Sequence, residues 1–271
     1  MRHGRLTRTR FTFWFPEVLG QMARRRITAD RIVGIIPARW GSTRFPGKIV
    51  TPIAGKPLLE WIIRGCRRSR RVQHWIVATD DRRIAELAVA CGVEAALTPR
   101  TLKSGSDRVA HVVAQRPERW VLNWQGDEWL PDGRPIDRLV ETLEADSDLT
   151  VATLARPINH REAENRNRVK VVLSQTGRAL YFSRASIPTT NSGSVPKLLH
   201  VGAYLFERSV LLRFARWRPT PLERRESLEQ LRLLEHDIPI GVGICRVHTH
   251  GVDTPADARV LARRLRSGRS R

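Results

Sequence analysis

Apolar and polar positions alternate along the chain in blocks that predict strands and helices in turn. Residues 31–36 are almost continuously apolar, which is typical of a strand covered on both faces of a sheet. Further strands are predicted at 74–78, 93–97 and 120–124. Helical patterns lie between them at 58–63, around 84–88 and at 107–114, with Pro57 as a first helical residue, Asp80 as an N-cap and Gly92 as a stop.

The spacing of the predicted strands changes after about residue 149. Short strands then follow one another closely, at 150–154, 169–173, 179–182 and 199–206. The first half predicts a parallel or mixed sheet with helices on both faces, and the second half predicts a smaller antiparallel extension of that sheet. The fold class is therefore α/β, and a length of 271 residues fits one large domain as well as two small ones.

The two ends do not share this pattern. Residues 1–26 are rich in arginine and show no sustained period, so we expect a basic extension outside the fold, either disordered or the product of an over-extended reading frame. Met22 is our hypothesis for the natural start, which mass spectrometry of the native N-terminus would test. Residues 266–271 are expected to form a solvated basic tail.

The net charge of +21, from 48 Lys and Arg against 27 Asp and Glu, favours anionic partners. Nucleic acids, acidic membranes, nucleoside triphosphates and sugar acids all fit that description. The arginines, however, are spread over ordinary helical patterns, and we find no RNP-like motif, zinc-finger spacing or basic heptad region. We interpret the charge as a general surface property and expect no specific nucleic-acid partner.

The cysteines and the hydropathy favour a cytoplasmic protein with no membrane partner. Cys66, Cys91 and Cys245 form no CxxC pair and no metal spacing, so we expect buried or half-buried thiols in a reducing compartment. No apolar run approaches the length of a membrane span, and no signal-peptide core or cleavage site follows the basic N-terminus.

The loop after the first strand carries the strongest chemical signal. Residues 37–48 contain three cations, Arg39, Arg44 and Lys48, together with Ser42 and two glycines. Ligands of open α/β sheets bind beyond the carboxyl ends of strands, where this loop lies. Glycine-rich backbone and fixed cations suit a polyphosphate, although the Walker A pattern is absent.

Two carboxylates follow predicted strands elsewhere in the chain. Asp127 comes directly after the strand at 120–124, and Asp253 precedes Pro255 at the start of the last predicted helix. Each could simply cap a helix. Near a triphosphate, both would be natural magnesium ligands, because hard cations prefer carboxylate and phosphate oxygens.

Taken in order, these motifs resemble the Kdo cytidylyltransferase (CMP-Kdo synthetase) family, where Kdo is 3-deoxy-manno-octulosonate. The resemblance covers about residues 31–265, which we therefore interpret as a cytidylyltransferase domain. It rests on the segments at 36–48, 78–80, 104–108, 125–128, 169–172, 181–188, 228–232 and 251–255. The opening loop alone is only moderately specific, whereas the whole ordered series is strongly specific.

The resemblance implies a nucleotide-diphosphosugar-transferase fold, a homodimer, two Mg²⁺ ions and a role for each motif. The catalytic residues would be Lys48, Arg44, Asp127 and Asp253, with Asp127 and Asp253 as the metal ligands. CTP would be held by Arg39, Ser42, Arg44, Lys48, Thr79, Asp80, Ser106 and Arg108. The acidic sugar would be held by Gln125, Arg184, His200, Tyr204, Glu229 and Gln230.

The chain departs from the family pattern in three places. Trp129 replaces the usual Pro after the Asp-Glu pair, and Trp124 replaces a small or apolar residue before Gln125. The stretch between Pro188 and His200 is shorter than in the family. In the family that stretch helps to build the sugar end of the site and the dimer contact, so the resemblance implies that its shortening affects the identity of the sugar more than the reaction.

The expected reaction transfers CMP from CTP to the anomeric hydroxyl of Kdo, giving CMP-Kdo and pyrophosphate for lipopolysaccharide synthesis. One alternative is a cytidylyltransferase for another acidic sugar, such as 8-amino-Kdo or a sialic-acid-like sugar, or a transferase that uses a different nucleotide. The other is a basic nucleic-acid-binding protein on a degenerate transferase fold, which predicts salt-sensitive binding to DNA or RNA and no turnover of CTP.

Overall fold

The computed structural model of the protein describes residues 25–42, 45–189 and 197–267. Arg44, Met22, almost all of the predicted N-terminal extension, most of the shortened 188–200 stretch and the last four residues of the predicted tail lie outside the described residues. Within them, the helices are α1 (Leu58–Cys66), α2 (Arg82–Ala90), α3 (Gly105–Val113), α4 (Arg134–Ala145), α5 (His160–Ala163), α6 (Arg208–Phe214), α7 (Pro221–Glu226), α8 (Gln230–Glu235) and α9 (Pro255–Arg266).

The strands include all those that the hydrophobic pattern predicts. They are β1 (Ile32–Ala38), β2 (Pro52–Ile53), β3 (Lys56–Pro57), β4 (His74–Thr79), β5 (Glu94–Leu97), β6 (Trp120–Trp124), β7 (Glu128–Trp129), β8 (Val151–Ile158), β9 (Lys170–Leu173), β10 (Ala179–Ser183), β11 (Lys197–Glu207), β12 (Ile240–Ile244) and β13 (His250–Gly251).

A mixed sheet of nine strands, counted over the described residues, forms the centre of the fold. Its main path runs β10-β9-β11-β6-β1-β4-β5, and β8 joins β12 to β11. β1 pairs in parallel with β4 and β6, and β4 with β5, whereas β11 runs antiparallel to β6, β8 and β9. The predicted mixed sheet with an antiparallel extension is confirmed.

Both faces of the sheet are covered, which explains why β1 is apolar at every position. Ile32 and Ile36 pack into a core that includes α1, α4 and α9. Val33 and Ile35 point to the other face, into a core that includes α3, α6 and α8. All seven residues of β1 are buried, as a strand between two helical layers requires.

Two predicted helix starts are wrong by one residue. α1 begins at Leu58, because Pro57 belongs to β3 and serves as the N-cap. The N-cap of α2 is Asp81, whose carboxylate accepts the backbone N–H of Arg83 at 3.0 Å. Asp80, the predicted cap, instead accepts hydrogen bonds from Trp40 and Arg108. Sequence alone cannot distinguish two adjacent aspartates at a helix start.

The first described residues already contact the folded body. The guanidinium of Arg25 donates hydrogen bonds to the carbonyls of Leu143 and Leu149 at 2.9 and 2.8 Å. It also lies 4.5 Å above the ring of Trp120. Contacts with the fold therefore extend at least to Arg25, just inside the stretch predicted to lie outside it.

The cysteines agree with their predicted state. All three are free thiols; Cys66 and Cys245 are buried and Cys91 is half-buried. Burial raises the pKa of all three thiols, so they are poor nucleophiles at neutral pH. A search of the described ranges for a helix both long and apolar enough to span a membrane finds none.

Candidate active site

The loop after β1 and the turn after β6 open into one cavity of about 330 Å³ at the carboxyl ends of these strands. Its walls also take residues from the N-terminus of α3 and the segment before α9. The predicted site residues that line it are Arg39, Ser42, Lys48, Arg108, Gln125, Asp127, Glu229 and Asp253.

Lys48 lies between the two predicted metal ligands. Its ammonium nitrogen is 2.5 Å from Oδ2 of Asp127 and 3.5 Å from Oδ1 of Asp253. The lysine side chain is 11% exposed, whereas the Asp127 and Asp253 side chains are 34% and 48% exposed. The two carboxylates, far apart in sequence, therefore converge closely enough to contact one cation.

Backbone contacts explain this convergence. Gln125 and Glu128 close a turn after β6, with the Glu128 N–H 3.1 Å from the Gln125 carbonyl. At Gly126 a Cβ would lie 2.5 Å from the Pro37 carbonyl oxygen, so only glycine allows the turn to pack on the end of β1. The N–H of Val252 donates to the Asp127 carbonyl at 2.8 Å, which joins the turn to the Asp253 segment.

Asp80 lies behind the wall of the first cavity and contacts residues of that wall and of the loop after β1. Its Oδ2 receives a hydrogen bond from Arg108 at 3.1 Å, and its Oδ1 accepts the backbone N–H of Trp40 at 3.3 Å. Arg108, only 2% exposed, also donates to the Thr98 hydroxyl. Asp80 thus links the loop after β1 to a buried guanidinium that reaches the cavity wall.

A second cavity of about 280 Å³ adjoins the first and shares Gly105, Gln125 and Glu229 with it. Its surface is more apolar and includes the aromatic residues of β11. The other predicted residues that line it are Ser106, His200, Tyr204 and Gln230. Ser106 donates to Glu229 at 2.8 Å, so α3 and the segment before α8 meet at the boundary between the cavities.

Burial sets the protonation states around the second cavity. It lowers the pKa of His200 to about 3, so the imidazole is neutral at physiological pH. The Thr153 hydroxyl lies 2.9 Å from His200 Nε2 and within hydrogen-bonding distance of the Ala203 and Val201 carbonyls, at 2.8 and 3.3 Å. The neutral ring offers one donor and one acceptor nitrogen. Burial also raises the pKa of Tyr204 and Glu229.

Glu128 stands beside the paired carboxylates and received no role from the sequence. Burial raises its pKa to about 7, and the negative charges of Asp127 and Asp253 act in the same direction. A hydrogen bond involving Thr249 opposes the shift. The side chain reaches toward β13, where a Cβ on Gly251 would lie 3.1 Å from Glu128 Oε2.

Three of the predicted ligand-binding residues do not line either cavity, when the cavities are defined by the described residues. Thr79 is fully buried, and its hydroxyl accepts the Asp81 N–H. Asp80 acts through Arg108. The guanidinium of Arg184 donates to the backbone carbonyls of Glu226 and Arg166. Arg44 lies outside the described residues, so its predicted role stays a prediction.

Sequence reasoning missed several residues of the cavity walls. Lys103 adds a further cation to the first cavity, and Gly202 lines the second. Lys103 directly precedes the Ser104–Arg108 segment, and this place beside a family motif is the signal that could have identified it. Gly202 sits between His200 and Tyr204, in a stretch where the register of β11 against β8 shifts, which no hydrophobic pattern reveals.

Comparisons with known proteins agree with this geometry. The family model described as cytidylyltransferase matches residues 33–240. A 3-deoxy-manno-octulosonate cytidylyltransferase of Nitratidesulfovibrio vulgaris (strain DP4) is 44% identical over 86% of this chain and 95% of its own length. Its counterpart in Bdellovibrio bacteriovorus is 41% identical over 88% of this chain and 98% of its own.

A solved structure supports the same assignment at the level of the fold. It is a CMP:2-keto-3-deoxy-manno-octonic acid synthetase complexed with CTP, and it superposes with a TM-score of 0.83 at 36% identity. The match covers 88% of this chain and 99% of the other. The predicted nucleotidyltransferase fold is confirmed, and the chain belongs to the cytidylyltransferase family, among the 3-deoxy-manno-octulosonate cytidylyltransferases.

Proposed function

We propose that the protein transfers CMP from CTP to the anomeric hydroxyl of 3-deoxy-manno-octulosonate and releases pyrophosphate. The observation that carries this proposal is the pair of adjoining cavities. The first combines cations with two converging carboxylates, and the second offers neutral hydrogen-bonding groups on an apolar floor. Gln125 and Glu229 line both cavities, at the place where two substrates would meet.

The first cavity suits a nucleoside triphosphate. Arg39, Lys48, Lys103 and Arg108 line it and supply positive charge, and the N-terminus of α3 faces it with Ser104 and Gly105. Arginine binds phosphate oxygens through its planar fork, and lysine acts as a point charge. We include Arg44 in this set on the resemblance alone.

The second cavity suits a polyhydroxylated sugar acid. His200 is neutral, while Tyr204 and Gln230 add a hydroxyl and an amide to the wall. Such groups form directional hydrogen bonds with sugar hydroxyls. Arg184 is retained as a ligand for the sugar carboxylate on the resemblance alone, because its guanidinium contacts backbone carbonyls beyond the cavity wall.

The residues present fit a magnesium ion. Asp127 and Asp253 already share one cation, the Lys48 ammonium, and both are oxygen donors of the kind that Mg²⁺ prefers. Over residues 25–42, 45–189 and 197–267, no group of three or more His, Cys, Asp or Glu side chains is arranged around a metal position. Two carboxylates plus substrate phosphates is a usual magnesium set, and the family resemblance implies two ions.

Bound Mg²⁺ would neutralise phosphate charge and acidify the attacking hydroxyl. The chain itself contributes placement: Asp127 and Asp253 hold the reacting end of the first cavity, and Gln125 and Glu229 hold the boundary to the second. The sugar hydroxyl loses its proton to solvent as its oxygen attacks the α-phosphorus in line, and the bond from the α-phosphorus to the oxygen that it shares with the β-phosphorus breaks. Lys48 and the arginines stabilise the charge that builds on the departing pyrophosphate.

Release of pyrophosphate from CTP tests the proposal. The purified protein is assayed with Mg²⁺, each of the four ribonucleoside triphosphates, and each of Kdo, 8-amino-Kdo and a sialic acid. We expect turnover only when CTP and an acidic sugar are both present, with the highest kcat/KM for Kdo. A higher value for another sugar would reassign the substrate, and no turnover with any pair would reject the proposal.

The assembly is proposed from the resemblance, and the location from the cysteines and the hydropathy of the sequence. We propose a homodimer in the cytoplasm. Light scattering coupled to size-exclusion chromatography tests the first statement: a mass near twice the 30.9 kDa of one chain supports the dimer, and a mass near 30.9 kDa rejects it.

A further inference from the structure

Trp124 is one of the residues that departs from the family pattern, and its indole makes a defined contact. It is the last residue of β6 and is fully buried in the core beneath α1 and α4. Its Nε1–H donates to the backbone carbonyl oxygen of Glu128 at 2.7 Å. Phe, Leu or Met at this position would fill the core but would bring no donor to that carbonyl.

The carbonyl that Trp124 binds belongs to the turn that carries Asp127. Gln125 and Glu128 close this turn, and Asp127 lies between them with its own carbonyl bound by the Val252 N–H. Immediately after the turn, Glu128 and Trp129 pair with His250 and Gly251 in a ladder of two residues a strand. So short a ladder is marginal by itself.

The Asp253 carboxylate is placed through the same contacts. Gly251 pairs with Glu128, Val252 binds the Asp127 carbonyl, and Asp253 follows directly. Backbone contacts therefore link the Glu128 carbonyl to the segments that carry both carboxylates. The Trp124 indole holds that carbonyl from the rigid centre of the sheet, where β6 lies between β1 and β11.

We propose that Trp124 is a positioning residue whose indole N–H fixes the turn at 125–128, and through it the spacing of Asp127 and Asp253. This inference rests on the proposed function for its kinetic consequence. The role depends on hydrogen bonding by the indole N–H and not on simple filling of the core.

The cleanest variant replaces Trp124 with 3-benzothienylalanine, which keeps the shape of the indole and exchanges its N–H for sulfur. Trp124→Phe is the simpler companion. Trp75 provides a matched control, because it is buried in the same core and its Nε1–H donates to the Val72 carbonyl at 3.2 Å, away from both cavities. The same two replacements are made there.

Turnover and backbone hydrogen exchange are measured for every variant. For both Trp124 variants we expect kcat to fall by about 10- to 100-fold, because small misplacements of catalytic groups have effects of that size. We expect the KM for CTP to change by less than about threefold, since the arginines are untouched. Amides of residues 125–129 and 250–253 should exchange faster, and the Trp75 variants should match wild type in kcat and in these amides.

The outcomes separate this inference from the proposed function. If the benzothienyl variant keeps wild-type kcat, or loses activity while its turn amides stay as protected as in wild type, Trp124 only fills the core and the proposal is overturned. A wild-type protein that turns over no CTP rejects the proposed function instead. In that case the positioning role is tested by hydrogen exchange alone, from the rates of the turn amides in the Trp124 variants and in wild type.

Discussion

In the proposed mechanism, the chemistry depends on Lys48 and its two carboxylate partners. A lysine that is 9% exposed needs negative partners, because burying an unpaired charge is costly. Asp127 and Asp253 provide them while remaining partly exposed to the cavity. The lysine charge offsets the repulsion between the two carboxylates and leaves both of them partly open to the cavity.

Replacing Asp127 with Asn should separate catalysis from folding. The change keeps the size of the side chain but removes the charge and weakens the hold on Mg²⁺, so we expect kcat to fall by about 10²- to 10³-fold or more, as when other sources of transition-state charge stabilisation are lost. Asp30→Asn, at an exposed position, serves as the control and should match wild type. A near-normal rate of pyrophosphate release from Asp127→Asn, with unchanged urea unfolding, would remove Asp127 from the mechanism.

The state of His200 gives a prediction for the pH dependence of stability. Burial lowers its pKa from 6.5 to about 3, so in this window the unfolded chain binds a proton that the folded protein does not. Stability therefore falls as the pH drops below 6.5. His200→Gln should flatten that fall, by on the order of 1 kcal/mol per pH unit.

Urea unfolding between about pH 6.5 and 4.5 measures this effect. His160, whose side chain is 83% exposed, supplies the control, and His160→Gln should leave the slope as in wild type. If wild type and His200→Gln show the same slope of stability against pH, protonating this imidazole has no cost in the folded protein. That result would contradict its buried neutral state.

At the residue scale, the sequence could predict the types of side chain in the site but not every contact. Lys48, Asp127 and Asp253 follow strands or precede a helix, and strand ends on one edge of a sheet meet. Asp80 sits in an equally suggestive motif, yet its carboxylate turns away to Trp40 and Arg108. That choice depends on the Arg108 guanidinium from α3, which local sequence does not reveal.

Among the elements, β11 shapes the second cavity. Its register against β8 shifts between Val201 and Tyr204, and Gly202 within this shift lines the cavity. A Cβ on Gly202 would meet only Gln125 Cγ, at 3.9 Å, so alanine would be accommodated without a clash in the protein. The absent side chain leaves space for a ligand.

Gly202→Ala should therefore weaken binding of the acidic sugar and leave binding of CTP unchanged. A methyl group in the cavity displaces the ligand or its hydrogen bonds, so we expect the KM for the sugar to rise by about 10-fold or more, in the range seen when one methylene changes the fit of a pocket. The KM for CTP is the internal control. Equal KM values for the sugar in wild type and variant would contradict this role.

α7 and α8 hold the Leu228–Gln230 segment against the second cavity through a buried ion pair. Arg232 binds the Glu223 carboxylate, and both residues are less than a tenth exposed. The same guanidinium donates to the Phe214 carbonyl at 3.1 Å and lies 4.5 Å above the Phe214 ring. One side chain thus ties α6, α7 and α8 together.

Arg232→Met should destabilise the protein by about 3–5 kcal/mol, because it leaves the Glu223 carboxylate buried without its partner. Urea unfolding measures this loss. The double variant with Glu223→Gln removes the orphan charge and should recover part of the stability. A loss below about 1 kcal/mol in the single variant would mean that the pair is solvated and does not hold these helices.

For the whole molecule, the hydrophobic pattern predicted the sheet and its helices, but not the long-range pairings. The alternation of strands and helices predicts the parallel half of the sheet, because β1, β4 and β6 are apolar on both faces and need a helical layer on each side. The ladder between β7 and β13 has two residues a strand, joins distant parts of the chain and has no pattern of its own. Yet this ladder brings Asp253 to Asp127.

We interpret the high net charge as a general property of the chain, of which the described part of the first cavity takes four cations. Arg39, Lys48, Lys103 and Arg108 line the first cavity. The alternative of a degenerate transferase that binds nucleic acid predicts a dispersed or disrupted site. The close approach of Lys48 to both carboxylates, and the match to cytidylyltransferases over most of the chain, favour an intact enzyme.

A crystal structure grown with CTP and Mn²⁺, read by anomalous scattering, tests the convergence of these groups most directly. We expect a manganese peak bound by both Asp127 and Asp253, with the triphosphate in the first cavity and Lys48 on its phosphate oxygens. A metal held by neither carboxylate, or a triphosphate seated in the second cavity, would contradict the proposed arrangement.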